Sequence, residues 1–76
     1  MQWKLIRLRK EAGLTQKELA EFIGMKSDTY RRKESGENSF LDYEMFKIRD
    51  FFNNRNSQEY QVDDIFLPKK YIENVL

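Results

Sequence analysis

Residues 14–36 read LTQKELAEFIGMKSDTYRRKESG, a run that predicts two short helices joined tightly. The first helix is predicted over Thr15–Ile23, because Thr15 and Glu18 have the spacing of a capping box. In such a box the Thr15 side chain accepts from the Glu18 amide, and the Glu18 carboxylate accepts from the Thr15 amide. The apolar residues of this helix, which predict its buried face, are Leu19, Ala20 and Ile23.

The second helix of this segment is predicted over Ser27–Ser35, either capped by Ser27 or begun one residue earlier. Gly24 separates the two helices, since glycine adopts the left-handed helix stop at the lowest cost. Tyr30 and Glu34 are four residues apart and therefore share the inward side of this helix. The short joint is what a helix-turn-helix needs for its second helix to project from the body.

Outside this segment the sequence predicts three more helices and no strand of useful length. Their ranges are Trp3–Ala12, Asp42–Phe52 and Val62–Phe66, with further helix stops at Gly13 and Gly36. Apolar residues recur at helical spacing, at Leu5, Leu8 and Ala12 and again at Leu41, Met45, Ile48 and Phe52. The polar residues Asn53–Gln61 predict a loop. The expected fold class is all-α, with five short helices.

The composition indicates one small domain and argues against several kinds of chemistry. The 76 residues are 39% hydrophobic and 36% charged, which is too polar for a membrane protein, and charges scattered through the first thirty residues argue against a signal peptide. Cys and His are absent, which removes disulfides, Cys-based zinc sites, thiol nucleophiles and Ser-His-Asp catalysis. Asp63 and Asp64 are adjacent, so on a helix they point about 100° apart. We therefore expect no enzyme, no cofactor and no metal site, and a reducing cytoplasmic location.

The net charge of +1 hides an asymmetry between the two halves of the chain. Residues 1–36 contain nine Lys or Arg and five Asp or Glu, whereas residues 37–76 contain five and eight. This division predicts a basic working face and a more acidic scaffold behind it. The densest basic cluster comprises Lys26, Arg31, Arg32 and Lys33. Because short charge clusters are also common on solvated helix faces, its position within the motif has to decide its role.

The segment 14–36 resembles the helix-turn-helix of the Cro and phage-repressor family, also called the XRE type. The shared pattern is Thr-Gln-x-x-Leu-Ala from residue 15, Gly24 at the turn, and Glu-x-Gly from residue 34. Arg9 before the segment also fits the family's order, as do Phe40, Met45, Ile48, Phe52 and the run Val62–Phe66 after it.

This resemblance covers residues 3–67, and it implies a compact five-helix lambda-repressor-like DNA-binding domain over residues 1–67. Residues 68–76 would then be a C-terminal tail, used for dimerisation or docking. The combination of Tyr30, Lys33 and Phe40 looks most like prophage regulators of Gram-positive bacteria.

The resemblance also implies that bases are read from the outward side of the second motif helix, at Ser27, Asp28, Arg31 and Arg32. Arg32 is the strongest candidate, because a guanidinium can bond O6 and N7 of guanine together. Asp28 has three interpretations: it complements the helix N-terminus, it accepts from a cytosine amino group, or it repels a misplaced phosphate. The hypothesis requires Arg31 and Arg32 to project into solvent without salt links to the chain's own acids.

Phosphate contacts are expected at Gln16, Lys26, Thr29 and Asn38. Gln16 lies in the first turn of a helix, where free amides and the helix dipole favour an anion. Asn38 lies in the family's phosphate-binding loop, where its side chain and the backbone amides are candidates, but Glu37 beside it indicates modest affinity.

Two further charged positions are expected to be structural, and the role of a third remains open. The resemblance implies an ion pair between Arg9 and Glu34. Lys33 stands where the family has an apolar residue; its stem is suited to cover the core while its ammonium reaches solvent or a phosphate.

The C-terminal part leaves two questions open. The loop Asn53–Gln61 is longer than the family's usual connection, and Arg55 with its neighbouring Asn residues is either a contact to DNA or a partner, or simply solvated. Four apolar tail residues, Tyr71, Ile72, Val75 and Leu76, would share one face of a helix. They predict either a homodimer, with recognition helices about 34–36 Å apart, or a tail folded back on its own core.

The leading hypothesis is a sequence-specific DNA-binding transcriptional regulator of the Cro or repressor kind, of phage or prophage origin. It would bind double-stranded operator DNA as a homodimer, with no membrane and no small-molecule ligand. The alternative is an antitoxin or anti-repressor that uses the same fold mainly to bind a protein.

Overall fold

The computed structural model describes residues 1–68, which form five helices and no strand. The helices are α1 (Trp3–Glu11), α2 (Gln16–Ile23), α3 (Ser27–Ser35), α4 (Asp42–Asn56) and α5 (Val62–Ile65). The predicted all-α class is confirmed. The predicted apolar face of the tail lies in residues 69–76, outside the described part of the chain.

Both ends of α2 follow the sequence closely. Glu18 donates its backbone N–H to Thr15 Oγ1 at 3.0 Å, and Thr15 donates its own to Glu18 Oε1 at 2.9 Å, so the capping box is confirmed. Gly24 ends α2 with φ +74°, a left-handed conformation that a side chain disfavours. The chain therefore turns sharply enough for α3 to begin three residues later.

The core lies between the helices and is centred on aromatic and aliphatic side chains. Tyr30, Leu19, Ala20 and Ile48 are fully buried. The Tyr30 and Phe40 rings meet edge to face with centroids 5.9 Å apart. The other buried hydrophobic residues are Leu5, Leu14, Ile23, Phe52, Ile65 and Phe66. This packing fixes α3 by its inner side and leaves its outer side uncovered.

Several helix ends differ from the prediction. Helix α1 ends at Glu11 and not at Ala12, and α5 ends at Ile65 and not at Phe66. Ser27 is the first residue of α3 and does not cap it; Lys26 holds the cap position, with no side-chain bond.

Helix α4 continues to Asn56, so the predicted loop Asn53–Gln61 shrinks to residues 57–61. Ser57 ends the helix in a left-handed conformation with φ +52°. The Asn53 side chain ties the last turn to the chain beyond it: it accepts from the Tyr60 N–H at 2.6 Å and donates to the Tyr60 carbonyl at 3.2 Å.

Gln2 ties together parts of the chain that are distant in sequence. Its backbone N–H donates to the Glu34 carbonyl at 2.8 Å, near the end of α3. Its side chain accepts from the Leu67 N–H at 2.7 Å and donates to the Leu67 carbonyl at 3.3 Å. We call this paired contact the Gln2–Leu67 clasp; it anchors the segment after α5 beside the start of α1.

Candidate nucleic-acid interface

Helix α3 has a buried side and an exposed side. Tyr30 and Glu34 face the core and are 0% and 2% exposed. The four residues expected to read bases, Ser27, Asp28, Arg31 and Arg32, are all exposed. We call these four residues the reading face. Its side chains are carried on a rigid helix and lie outside the core, as contact with another molecule requires.

The arginines of the reading face reach solvent, but they are not free of the chain's own acids. Arg31 donates from Nη2 to Asp28 Oδ1 at 2.8 Å, and Arg32 Nε lies 3.4 Å from Asp28 Oδ2. The requirement that neither guanidinium be linked to the chain's own acids is therefore not met, and that expectation was wrong. The other part of the requirement, that both side chains project into solvent, is met. Residues three and four positions apart on a helix are neighbours, which brings both arginines to the same carboxylate.

These contacts are open to exchange with another anion. The side chains of Arg31 and Arg32 are 50% and 51% exposed, and exposed ion pairs contribute little to stability because water screens them. The hydrogen bond from Arg31 and the charge of Arg32 lower the pKa of Asp28, so this carboxyl stays ionised at neutral pH. The same bond raises the pKa of Arg31.

Beneath the reading face, three side chains meet at the Glu34 carboxylate. Arg9 donates from Nε to Glu34 Oε2 at 2.9 Å and from Nη2 to Oε1 at 3.1 Å. Tyr30 donates its hydroxyl to Oε2, and Gln16 donates its side-chain amide to Oε1 at 2.8 Å. Arg9 also donates to the Leu14 carbonyl at 2.8 Å. The cluster links α1, the start of α2 and α3.

The charges in this cluster hold one another in the ionised form. Burial would raise the pKa of Glu34, but hydrogen bonds from Arg9, Tyr30 and Gln16 outweigh it, so the pKa is lowered. Burial would likewise lower the pKa of Arg9, but its bond to Glu34 and the charge of Glu34 raise it instead. Burial and the neighbouring carboxylate raise the pKa of the Tyr30 hydroxyl, which therefore remains a donor.

The residues expected to contact phosphates lie at the start of α2, in the first turn of α3 and on either side of α3. Gln16 is half-buried in the first turn of α2, and its bond to Glu34 uses one of two amide protons. Lys26 is exposed at the cap of α3, and Thr29 is half-buried. Asn38 is exposed, but its backbone N–H donates to the Arg32 carbonyl at 3.2 Å. That backbone amide is therefore not available to a phosphate, and only the side chain of Asn38 is left as a candidate phosphate contact.

Two charged residues left open by the sequence have partners within the fold. Lys33 donates from Nζ to Glu44 Oε1 at 2.5 Å, and both side chains are largely buried. Glu44 Oε1 also accepts from the Leu41 N–H at 2.8 Å at the start of α4. Arg55 donates to the Ala12 carbonyl at 3.1 Å, so it is neither simply solvated nor wholly available to DNA. No spacing rule links residues so far apart in sequence.

Away from the reading face, several large apolar side chains are exposed. Phe22 on α2 is 62% exposed, and Tyr43 and Phe46 on α4 are 59% and 45% exposed. Leu41, which precedes α4, is 51% exposed. We call Leu41, Tyr43 and Phe46 the α4 apolar residues.

Leu41 was expected on one apolar stripe with Met45, Ile48 and Phe52, and its exposure at the cap position of α4 shows that this placement was wrong. The exposure of Tyr43 and Phe46 was not predicted, although both lie between the stripe residues in the sequence.

Residues 1–68 contain no group of three or more His, Cys, Asp or Glu side chains arranged to hold a metal ion. A search of the same residues for a helix with the length and apolar character to cross a bilayer found none.

Comparison with known proteins identifies the family. A family model described as helix-turn-helix matches residues 5–58, which is most of the chain and includes α2 to α4 and most of α1. The searches of curated proteins and of solved structures returned no match. With the exposed side of α3, the capped start of α2 and the Gly24 turn, this match leads to one conclusion: the chain belongs to the Cro/C1-type helix-turn-helix family of DNA-binding regulators.

Proposed function

We propose that the protein is a sequence-specific transcriptional regulator of the Cro or repressor kind, which inserts α3 into the major groove of an operator. The observation that carries this proposal is the division of α3: Tyr30 and Glu34 are buried, while the whole reading face is exposed. A major groove about 12 Å wide admits one α-helix with its side chains. Bound near a promoter in the cytoplasm, such a protein would block transcription.

In this proposal the other candidate residues fix the position of α3 on the DNA. The start of α2 presents backbone amides and the Gln16 side chain, a combination that suits a phosphate oxygen. Lys26, Thr29 and Asn38 would contact the backbone around the same groove. Phosphate contacts of this kind set register and orientation, and base contacts from the reading face set the sequence.

The proposal includes a homodimer and a phage or prophage origin. Two copies related by a two-fold axis would present two α3 helices about 34–36 Å apart, which matches half-sites one helical turn apart. The support for the dimer is the apolar sequence of the tail, and the support for the origin is the combination of Tyr30, Lys33 and Phe40.

Selection of bound fragments from a random DNA pool tests the function. A palindromic motif with half-sites one helical turn apart is the expected result. Arg32→Ala should then relax preference at one base pair by about 1–3 kcal/mol, while Gln16→Ala should weaken binding to all sequences alike. Arg7→Ala on α1 is the matched control, because Arg7 is an exposed arginine paired with Glu11 and lies outside α3. Equal losses for Arg32→Ala and Gln16→Ala across many sequences would contradict the assignment.

One observation favours a second function, binding of a protein partner as in an antitoxin or anti-repressor. The α4 apolar residues are exposed and lie outside α3, and none of them is among the residues expected to contact DNA. Titration with random duplex at increasing salt separates the two functions. A DNA regulator should show an affinity whose logarithm falls linearly with the logarithm of salt concentration. A chain that shows no binding even at low salt would favour the protein partner.

A further inference from the structure

Asp28 stands at the centre of the reading face. Of the acids in residues 1–68, it alone forms ion pairs with Arg31 and Arg32. Its carboxylate reaches both arginines at once, through a different oxygen for each. Its own side chain is 63% exposed, so it lies on the surface that would meet DNA. Asp28 makes no capping bond to α3.

The two arginines use different atoms toward this carboxylate, and the difference matters for base reading. Arg32 approaches Asp28 with Nε, which leaves both terminal amino groups of its guanidinium for another partner. Guanine offers two adjacent acceptors, O6 and N7, that match such a pair of donors. Arg31 approaches with Nη2, so one of its terminal groups is already engaged. The arrangement suits Arg32 for a two-bond contact and Arg31 for a single one.

The charge of Asp28 also bears on binding to random DNA. Binding without sequence preference depends almost entirely on contacts between cationic side chains and phosphates. A carboxylate beside Arg31 and Arg32 offsets part of their charge and repels a phosphate that approaches them. At an operator the same arginines meet uncharged base edges, where this repulsion is smaller because the phosphates lie farther away.

We propose that Asp28 is a positioning residue that orients Arg32 toward a base and raises the preference of the protein for its operator over random DNA. The inference rests on the proposed function and deepens it. It replaces the interpretation of Asp28 as a reader of its own base: the carboxylate acts through the two arginines.

The experiment compares Asp28→Asn with Glu37→Gln, since each substitution removes one negative charge. Glu37 is exposed just beyond α3 and is paired with neither arginine, although its charge acts weakly on Arg31, so it serves as a nearby acid that cannot orient Arg32. Affinities are measured for the selected operator and for a random duplex, together with base preference at each position. Asp28→Asn should tighten binding to the random duplex by about fivefold at low salt, the factor for one charge pair near 4 Å in water. Glu37→Gln should have a smaller effect and leave base preference unchanged.

Base preference gives the sharper result. Asp28→Asn should relax the same base pair as Arg32→Ala, and the double variant should equal Arg32→Ala alone at that position. In the free protein, nuclear relaxation of the Arg32 Nε–H group should show greater motion in Asp28→Asn than in the wild type. Thermal melts of both variants check that the fold is intact.

Three results would overturn the inference. One is relaxation of a different base pair that adds to the effect of Arg32→Ala, since Asp28 would then read a base itself. Another is identical behaviour of Asp28→Asn and Glu37→Gln, since only net charge would then matter. The third is unchanged motion of the Arg32 Nε–H group. A wild-type protein that selects no motif would instead overturn the proposed function, and this inference with it.

Discussion

Glu34 is a buried acid that supports an exposed surface. Its carboxylate accepts hydrogen bonds from Arg9 on α1, Gln16 on α2 and Tyr30 on α3 itself. A buried ion pair adds little net stability compared with apolar residues of the same size, but removal of one partner leaves a buried charge without compensation. The orientation of α3 therefore depends on keeping every member of the cluster.

Replacement of Arg9 tests this dependence. Arg9→Met should lower the free energy of unfolding by about 3–5 kcal/mol, because it leaves the Glu34 carboxylate buried and unpaired. The measurement is urea denaturation followed by circular dichroism at neutral pH.

The double variant Arg9→Met with Glu34→Gln is the control. The amide introduced by Glu34→Gln has no charge that would be buried without a partner, and its oxygen can still accept from the Tyr30 hydroxyl. The double variant should therefore recover part of the stability lost in Arg9→Met. No recovery in the double variant would show that Arg9 acts through packing of its stem and not through the charge of Glu34.

The lowered pKa of Glu34 predicts how stability responds to acid. A carboxyl whose pKa in the folded state lies below its ordinary value of 4.5 stabilises the fold fully above that value. This stabilisation is lost as the pH falls through the folded pKa. Denaturation at pH 6 and pH 3 should therefore show a larger loss for the wild type than for Glu34→Gln.

Glu18 and Asp28 also have lowered pKa values, so the wild type and Glu34→Gln should both lose some stability in acid. The difference between wild type and Glu34→Gln isolates the contribution of Glu34. Equal losses in the two proteins would contradict it.

The pairing of Asp28 with both arginines shows what residue patterns can reveal. The spacing of three and four residues on one helix was visible in the sequence, and it predicts such ion pairs. The pair between Lys33 and Glu44 was not predictable in the same way, because it joins α3 to α4 and depends on how the two helices pack. Local spacing predicts local contacts; contacts between helices need the fold.

The turn between α2 and α3 sets how far the reading face projects from the body. Gly24 has φ +74°, and a Cβ atom added there would meet nothing within 4 Å. Gly24→Ala should therefore cost only the left-handed backbone strain, about 1–2 kcal/mol. Gly24→Asn should cost less, since asparagine tolerates this conformation better. Thermal unfolding of the three proteins checks the order, and an equal cost for Ala and Asn would point to a steric cause.

Helix boundaries were predictable where a local signal marks them. The capping box of Thr15 predicted the start of the first motif helix, and Gly24 predicted its end. The structure agrees with both. The end of α4 was predicted four residues early, because the polar run after Phe52 looks like a loop by composition. In the structure this run continues the helix to Asn56, and the Asn53 side chain bonds to the backbone of Tyr60, seven residues away. Composition carries no information about that contact.

Across the whole chain, the proposed dimer places the basic half of each copy on DNA and leaves the tails to meet. Ile72→Asp combined with Val75→Asp should convert a dimer to a monomer in analytical ultracentrifugation, because charge would enter the apolar face predicted for the tail. Operator affinity should fall in parallel, since one half-site would be held by one copy alone.

Asn74→Asp with Glu73 unchanged is the matched control, because it adds charge to the same segment beside the predicted apolar face. It should leave the dimer intact. A wild-type chain that sediments as a monomer at every concentration would contradict the dimer.

The Gln2–Leu67 clasp brings residue 2 beside residue 67. Residues 2 and 67 bound the five helices, and a domain whose boundaries lie side by side is suitable for circular permutation. A gene rearranged to begin within residues 57–61, in which residues 68–76 and a short flexible linker lead back to Met1, should still encode the five helices. The new ends would then lie at the connection between α4 and α5, where a reporter could be attached without crowding the Gln2–Leu67 clasp.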